Sequence, residues 1–176
     1  GNLVMIASDP LDIEGLHWAC ISKFNIEEAI APRLPGDQKD FFAKYVDKYG
    51  YYDLFLIHPE GRVFYSVGRE ADYGTNMVNG QYADSGLGKL VRKVLASESF
   101  GFADFAPYAP SNGEPAAFIA QPVMNHGKIE LIVGLQLSLK AINTIMAERS
   151  GMGETGETYL VGPDKLMRSD SYLDPT

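Results

Sequence analysis

Residues 52–65 read Tyr-Asp-Leu-Phe-Leu-Ile-His-Pro-Glu-Gly-Arg-Val-Phe-Tyr, and their pattern is the clearest structural signal in the chain. Two runs rich in aromatic and β-branched residues, 52–57 and 62–67, flank the sequence His58-Pro59-Glu60-Gly61. Such runs are typical of strands, and a short gap that contains Pro and Gly is typical of the turn between them. The stretch therefore predicts a β-hairpin.

Further elements are predicted on both sides of this hairpin. Capping residues and helical spacing of apolar side chains predict three main helices: 38–49 capped by Asp37, 86–96 capped by Ser85, and 138–150 capped by Ser138. Alternating apolar residues predict the strands 3–7, 18–22, 101–108, 116–122 and 130–137, and a last hairpin of 158–161 and 165–168. Asn25 is predicted to cap a short helix that Pro32 ends. We expect an α+β fold whose five-stranded antiparallel sheet is flanked by helices, since strands that follow one another closely need no crossover helices.

Composition excludes several classes of protein. The chain has 176 residues with 15 Lys and Arg against 23 Asp and Glu, a net charge of −8. A nucleic-acid partner is not expected, because phosphate neutralisation needs clustered positive charge. No apolar run approaches the roughly 18–20 residues that a membrane span needs. We therefore expect contact with a membrane only through segments outside these residues.

Neither a metal site nor a catalytic site is predicted. Cys20 is the one cysteine, which excludes an internal disulfide and a zinc–thiolate cluster, and we expect it to be buried as a small apolar residue. The three histidines lack the spacing of metal ligands. No nucleophile elbow or acid–base pair is recognisable, so we expect a protein that is not an enzyme and carries no cofactor.

Two pairs of similar segments within the chain predict an internal repeat. The run 55–60 recurs at 159–164, an offset of 104, and the run 131–139 is similar to 18–26, an offset of 113. We therefore expect a module of about 105–115 residues and a chain that is a piece of a longer protein. The predicted parts are the end of one module at 1–36, a complete module at 37–150, and the opening hairpin of another at 151–176. The two ends, 1–32 and 154–176, are predicted to pair as strands of a second sheet.

Residues 37–174, which include the complete module, resemble the Cache family of sensor domains, which have a PAS-like fold. The resemblance is carried by the 52–65 hairpin, by the runs 72–76, 102–108 and 117–123, and most specifically by Gly153-Glu154-Thr155-Gly156-Glu157-Thr158-Tyr159-Leu160-Val161. It implies the extracytoplasmic part, periplasmic or extracellular, of a bacterial inner-membrane receptor. Such receptors are chemotaxis proteins, sensor histidine kinases or nucleotide cyclases, and the full receptor is expected to be a homodimer. The expected function is to bind a small organic ligand and to relay a helix shift to a cytoplasmic output. The alternative is an unliganded spacer module of the same receptor.

The PAS-like resemblance also implies a place for the ligand, between one face of the sheet and the helix and loop after the second strand. Aromatic walls with a few polar groups are typical of small-molecule pockets, and an arginine can bind a carboxylate through two hydrogen bonds. The residues expected to line this pocket are Tyr65, Arg69, Tyr73, Asn76, Tyr82, Phe105, Tyr108, Phe118 and Gln121. The Arg-x-Trp-Tyr run of the family's amino-acid-binding members is absent, since Trp18 is the only tryptophan.

Overall fold

The computed structural model describes residues 4–174, and in the first hairpin it describes the backbone alone at positions 12, 13 and 16. The elements in chain order are β1 (Val4–Ile13), β2 (Leu16–Asn25), α1 (Ile26–Ile30), α2 (Phe41–Tyr49), β3 (Asp53–Ile57), β4 (Val63–Ser66), α3 (Gly86–Ser97), β5 (Gly101–Pro107), a 3-10 turn (Ala109–Ser111), β6 (Pro115–Asn125), β7 (Lys128–Gln136) and α4 (Leu139–Met146).

Five strands form one antiparallel sheet in the order β4-β3-β7-β6-β5. The predicted α+β fold, with a five-stranded antiparallel sheet flanked by helices, is confirmed. All five residues of β3 are buried, because both faces of the sheet are covered at this strand. Asn25, Ser85 and Ser138 cap their helices as predicted, each accepting a backbone N–H in the first turn.

The face of the sheet toward α3 carries the main hydrophobic core. Leu87, Leu90, Val91 and Val94 lie on one side of α3 at helical spacing and are buried against the sheet. They meet Phe55, Ile57, Val63, Met77, Tyr108, Phe118 and Ile132, all of which are almost inaccessible to solvent. This face is filled by side chains.

The opposite face packs against α1 and α2 over a smaller core. Alternation along β3 sends Leu54 and Leu56 to this side, where they join Phe64, Tyr65 and Val46 of α2. Several of the neighbours that complete this cluster, including Phe42 and Tyr45, are only partly buried. The cover on this face is thus thinner than on the α3 face.

The first hairpin stands apart from the main sheet. β1 and β2 pair with each other along their whole length, and no third strand joins them within residues 4–174. The predicted pairing of the two chain ends is therefore wrong for a single chain, although Leu3 and residues 175–176 lie outside the described residues. Cys20 is exposed, which contradicts the expected burial, because no layer covers β2.

Several element boundaries differ from the sequence prediction, among them β1 and β2, which are each ten residues long where five were predicted. α2 begins at Phe41 and is capped by Asp40 rather than Asp37, because the Asp40 carboxylate accepts the Ala43 N–H at 2.9 Å. α4 ends at Met146 instead of extending to residue 150. The last predicted hairpin is reduced to the single bridge Val161–Met167. The module boundaries at 36 and 150 stay a prediction.

Candidate functional site

A cleft of about 400 Å³ opens where α1 and the segment before α2 approach the end of β4. A second cavity of about 240 Å³ adjoins it and shares four of its lining residues: Arg33, Asp40, Tyr65 and Arg69. The rest of the first cavity is lined by Asn25, Glu27, Glu28, Ala31 and Pro32. We call the two cavities together the charged cleft, because three carboxylates and two guanidinium groups face it.

Glu27 is the most buried charged group of the charged cleft, with 9% of its surface exposed. It forms an ion pair with Arg69, and its other oxygen accepts the Tyr73 hydroxyl at 3.0 Å. The guanidinium of Arg69 also lies 4.9 Å above the centre of the Tyr73 ring, a cation–π arrangement. Burial, and after it the Glu27 carboxylate, raises the pKa of Tyr73, so its hydroxyl remains a donor. Glu27 is thereby held against two groups that lie 42 and 46 positions further along the sequence.

Arg69 has an unusual backbone conformation, with φ at +48°. Non-glycine residues adopt this left-handed region at a cost, and such positions cluster at functional sites. The hydroxyl of Ser66 stabilises the turn by accepting the Arg69 N–H at 2.9 Å. The Arg69 side chain is half exposed, uses one nitrogen for Glu27 and lines both cavities of the charged cleft, so its guanidinium has further donors to offer a ligand.

Asp40 and Tyr65 form the floor of the charged cleft. The Tyr65 hydroxyl donates to both oxygens of Asp40, at 2.8 and 2.9 Å, while the same carboxylate caps α2. Burial, followed by the neighbouring Asp40 carboxylate, raises the pKa of Tyr65 far above its ordinary value. The tyrosine is therefore a permanent donor that fixes the first turn of α2 to the sheet.

Arg33 is exposed and lines both cavities. Within residues 4–174 it has no hydrogen bond or ion pair, whereas Arg69 at the same cleft is paired. A guanidinium with free donors beside a second one is suited to bind a carboxylate, because its planar fork matches the two carboxylate oxygens.

A second polar cluster is buried at the end of the sheet. Asp53 begins β3 directly opposite Gln136 of β7, and Asp72 accepts the Tyr108 hydroxyl at 2.6 Å. One oxygen each of Asp53, Asp72 and Gln136 is buried without a donor in the described part of the chain. Burial raises the pKa of Asp53 to about 6 and also raises that of Asp72. Within residues 4–174, no three His, Cys, Asp or Glu side chains are placed to hold a metal ion.

The structure distributes the nine residues of the predicted pocket over several places. Tyr65, Arg69 and Tyr73 meet at the charged cleft. Tyr108 and Phe118 are core residues whose rings lie 4.9 Å apart edge to face.

The four others lie elsewhere. Tyr82 packs against the same core as Tyr108. The side-chain oxygen of Asn76 closes a turn by accepting the backbone N–H groups of Val78 and Asn79. Phe105 lines a separate cavity of about 230 Å³ beside the C-terminal segment, and Gln121 is exposed on β6. Ligand contact by any of the nine stays a prediction.

Sequence reasoning did not identify Glu27, Arg33 and Asp40 as members of a site. Glu27 lies in the first turn of the helix that Asn25 is predicted to cap, and the segment from Pro32 to α2 has no periodic spacing of apolar residues. The three residues meet Tyr65 and Arg69 from more than 20 positions away in the sequence, so only the packing of α1 and α2 on the sheet brings them together. The one available hint was a cluster of charges beside prolines that end a short helix.

Comparison with known proteins gives matches among solved structures alone. No protein-family profile matches the chain, and no curated protein matches it. Among solved structures, the sensor domain of the V. cholerae histidine kinase DctB is 19% identical, with a TM-score of 0.46 over 62% of this chain and 40% of that one.

Two further solved structures are the ligand-binding domain of the Pseudomonas fluorescens chemoreceptor CtaA, in complex with L-isoleucine or with L-serine. They are 18% identical, with TM-scores of 0.47 and 0.48 over 69% and 81% of this chain, and the chain spans 46% and 57% of their length. Identity at this level does not carry a ligand from one protein to another. In the described part of the chain, no helix is long and apolar enough to cross a membrane.

Proposed function

We propose that this chain is a small-molecule-sensing domain that binds a small organic carboxylate in the charged cleft and does not transform it chemically. The carrying observation is the arrangement of Arg69, a strained residue that faces a cavity of about 400 Å³ beside the unpaired Arg33. Known small-molecule pockets have volumes of about 300–1,000 Å³ and a few convergent polar groups. The size and the lining of the cleft both agree with this role.

The chemistry of the cleft favours a ligand that carries a carboxylate and a second polar group. Arg33 and the free nitrogens of Arg69 supply donors for the carboxylate. Glu28 and Asp40 also line the cleft and supply acceptors, which suit a hydroxyl or an ammonium group of the same ligand. The alternation of charge disfavours a purely apolar ligand, because burying these groups without partners costs free energy.

α2 provides a path by which occupancy of the cleft reaches α4. The N-cap residue of α2, Asp40, lines the cleft, and its C-cap residue, Gly50, lies against Ala141 of α4. A ligand that draws Arg33 and Asp40 together favours one position of α2 over another. We infer that α4 carries this shift onward.

The receptor context belongs to the same proposal. We infer that the domain is the periplasmic or extracellular part of an inner-membrane receptor that acts as a homodimer and controls a cytoplasmic output. The run 153–161 and the 52–65 hairpin support it, since both resemble the Cache family of receptor domains. A chemoreceptor, a histidine kinase and a cyclase fit this resemblance equally.

A spacer role is the second candidate, and one observation favours it. The sheet face toward α3, where the ligand was expected, is filled by Tyr108, Phe118 and Met77, each at most 1% exposed. A domain whose expected pocket is occupied by its own side chains can support a neighbouring module without binding anything. The two candidates differ in what they predict for the charged cleft.

The experiment is a thermal-shift screen against small carboxylates, amino acids, amines and nucleobases, followed by calorimetric titration of each hit. A ligand at 100 times its dissociation constant adds about 2.7 kcal/mol, a shift of a few degrees for a chain of this size. We expect a carboxylate hit whose affinity falls about tenfold or more in Arg33→Gln, since a charge-assisted pair is lost.

Lys128→Gln is the matched control, because it also removes one positive charge, but from the exposed β6–β7 turn. Equal losses in both variants would show that the ligand responds to net charge alone and would overturn the cleft assignment. A folded chain that no compound of the panel stabilises would favour the spacer role.

A further inference from the structure

The hairpin of β1 and β2 leaves large apolar side chains uncovered. Ile6 and Ile21 lie on one face of the hairpin and are 61% and 69% exposed, and Trp18 lies on the other face and is 59% exposed. An isolated two-stranded hairpin is at best marginally stable in water, and an unpaired strand edge is a template for a further strand. Two repeats, which extend to backbone hydrogen bonds, indicate which segment pairs with the free edge of β2.

The first repeat relates β1, β2 and α1 to β6, β7 and α4. Both are antiparallel hairpins that run directly into a helix, and the caps Asn25 and Ser138 occupy the same place, 113 positions apart. The pair Asp9–Cys20 corresponds to the pair Gln121–Val133. β2 is therefore the counterpart of β7.

The second repeat relates the C-terminal segment to β3 and β4, at an offset of 104. The bridge Val161–Met167 corresponds to the pair Ile57–Val63, with the same separation of six residues. The Gly162 N–H donates to the Leu166 carbonyl at 2.9 Å, and its counterpart at position 58 makes the same bond at 2.9 Å. Lys165 and its counterpart at position 61 both have positive φ, +65° and +94°.

One carboxylate extends this second repeat. Asp53 accepts the N–H groups of the two residues that follow β4, and Glu157, its counterpart at the offset of 104, accepts those of Tyr172 and Leu173, one position further along the chain than the offset predicts. The segment 157–161 is therefore the counterpart of β3, with its turn already formed.

In the main sheet β3 and β7 are antiparallel neighbours, with Leu56 opposite Val133. The edge of β2 that faces away from β1 is unpaired in the described part of the chain. We propose that residues 157–161 of one copy of this chain add as an antiparallel strand to β2 of a second copy. The register of β3 on β7 places Leu160 opposite Cys20.

The side chains brought together by this register suit one another. Tyr159 falls opposite Ile21, an aromatic–β-branched pair, and Glu157 falls opposite Lys23, a pair of opposite charge. The turn uses the backbone of Leu160, which accepts the Arg168 N–H. In an antiparallel ladder the neighbouring residues 159 and 161 therefore direct their backbone groups to the other, free edge.

The position of the two elements favours a second copy over closure within one chain. Arg168 forms ion pairs and hydrogen bonds with Asp104 of β5, which holds the C-terminal segment at one edge of the main sheet. α1, which follows β2 directly, is held by the Glu27–Arg69 pair beside β4, the opposite edge strand. Four strand spacings, about 19 Å, separate these edges.

The test uses Cys20 as a built-in probe, in the full 176-residue chain with the substitution Leu160→Cys. Directly opposed residues of an antiparallel pair lie about 4.5–5.5 Å apart between Cα atoms, which a disulfide can bridge. After mild oxidation we expect disulfide-linked dimers or longer chains on a non-reducing gel. Leu160 is 41% exposed, so the substitution leaves the core intact, and circular dichroism checks the fold.

Tyr159→Cys is the matched control, because its side chain lies on the other face of the strand and points away from Cys20. Efficient cross-linking in Leu160→Cys and little in Tyr159→Cys supports the proposal. Equal cross-linking of the two variants overturns the register. A disulfide within one chain, identified as an oxidised monomer by mass spectrometry, overturns the second copy as the occupant, and a failure of Leu160→Cys to cross-link overturns strand addition itself.

Discussion

The two faces of the five-stranded sheet differ in how completely side chains fill them. On the side toward α3, this twelve-residue helix and the sheet enclose residues that are almost wholly buried, such as Phe118 and Met77. Toward α1 and α2, the cover is built from shorter helices, with partly buried residues at its margin and the charged cleft beside it. The comparison shows how one sheet can obtain its stability from one side and present its polar groups on the other.

The largest expected loss of stability is on the face of the sheet that packs against α3. Phe118→Ala removes a ring that is 0% exposed and packs edge to face on Tyr108, so we expect a loss of about 3–5 kcal/mol in the free energy of unfolding. The matched change on the other face is Phe42→Ala, whose ring is partly buried 5.3 Å from that of Tyr65, and we expect about 1–2 kcal/mol there. Urea unfolding of both variants measures the difference. Equal losses would show that the two faces contribute equally.

A pH-dependent effect is expected next, from the buried carboxyl of Asp53. Its pKa in the folded protein, about 6, lies above the ordinary value of 3.8, so the folded chain holds this proton to higher pH than the unfolded chain. The contribution of this carboxyl to the free energy of unfolding is therefore fully present below about pH 4, falls as the pH rises through 6, and stays reduced above it. We expect Asp53→Asn to be more stable than the wild type at pH 7.5, by on the order of 1–3 kcal/mol.

The substitution suits the site, because the asparagine oxygen can still accept the three backbone N–H groups that Asp53 accepts. Urea unfolding at pH 4 and pH 7.5 gives the comparison, and the gain should shrink at the lower pH. Asp84→Asn, at a fully exposed side chain, is the control and should show no such dependence. A gain of the same size at both pH values would contradict the assignment to the Asp53 proton.

The smallest expected loss of stability is on the face of the sheet toward α1 and α2. Tyr65→Phe removes the hydroxyl that donates to both oxygens of Asp40, and we expect a loss of about 1 kcal/mol, because water can reach the half-buried carboxylate. Differential scanning fluorimetry records the shift in Tm. Tyr49→Phe is the control, since that side chain is exposed on the same helix that Asp40 caps. A loss as small as that of the control would show that the Tyr65–Asp40 bond does not fix α2.

The local features of this protein can be predicted from its sequence. Strand alternation, the turn at 58–61 and the caps Asn25, Ser85 and Ser138 depend on neighbouring residues, because hydrogen bonding and side-chain direction within a few positions set them. The offsets of 104 and 113 were also readable, since each repeated element has its own pattern. The α+β class followed from the order of these elements.

Which surfaces are covered depends on packing between segments that are distant in the sequence. Cys20 has the apolar neighbours of a buried residue, yet it is exposed, because its strand lacks the layer that covers its counterpart Val133. Tyr108 has the appearance of a pocket residue, yet its ring fills the core and its hydroxyl is bound to Asp72. Burial and site formation depend on segments far apart in the chain, such as α1 and the turn at Arg69, and their meeting is set by packing that no local pattern records.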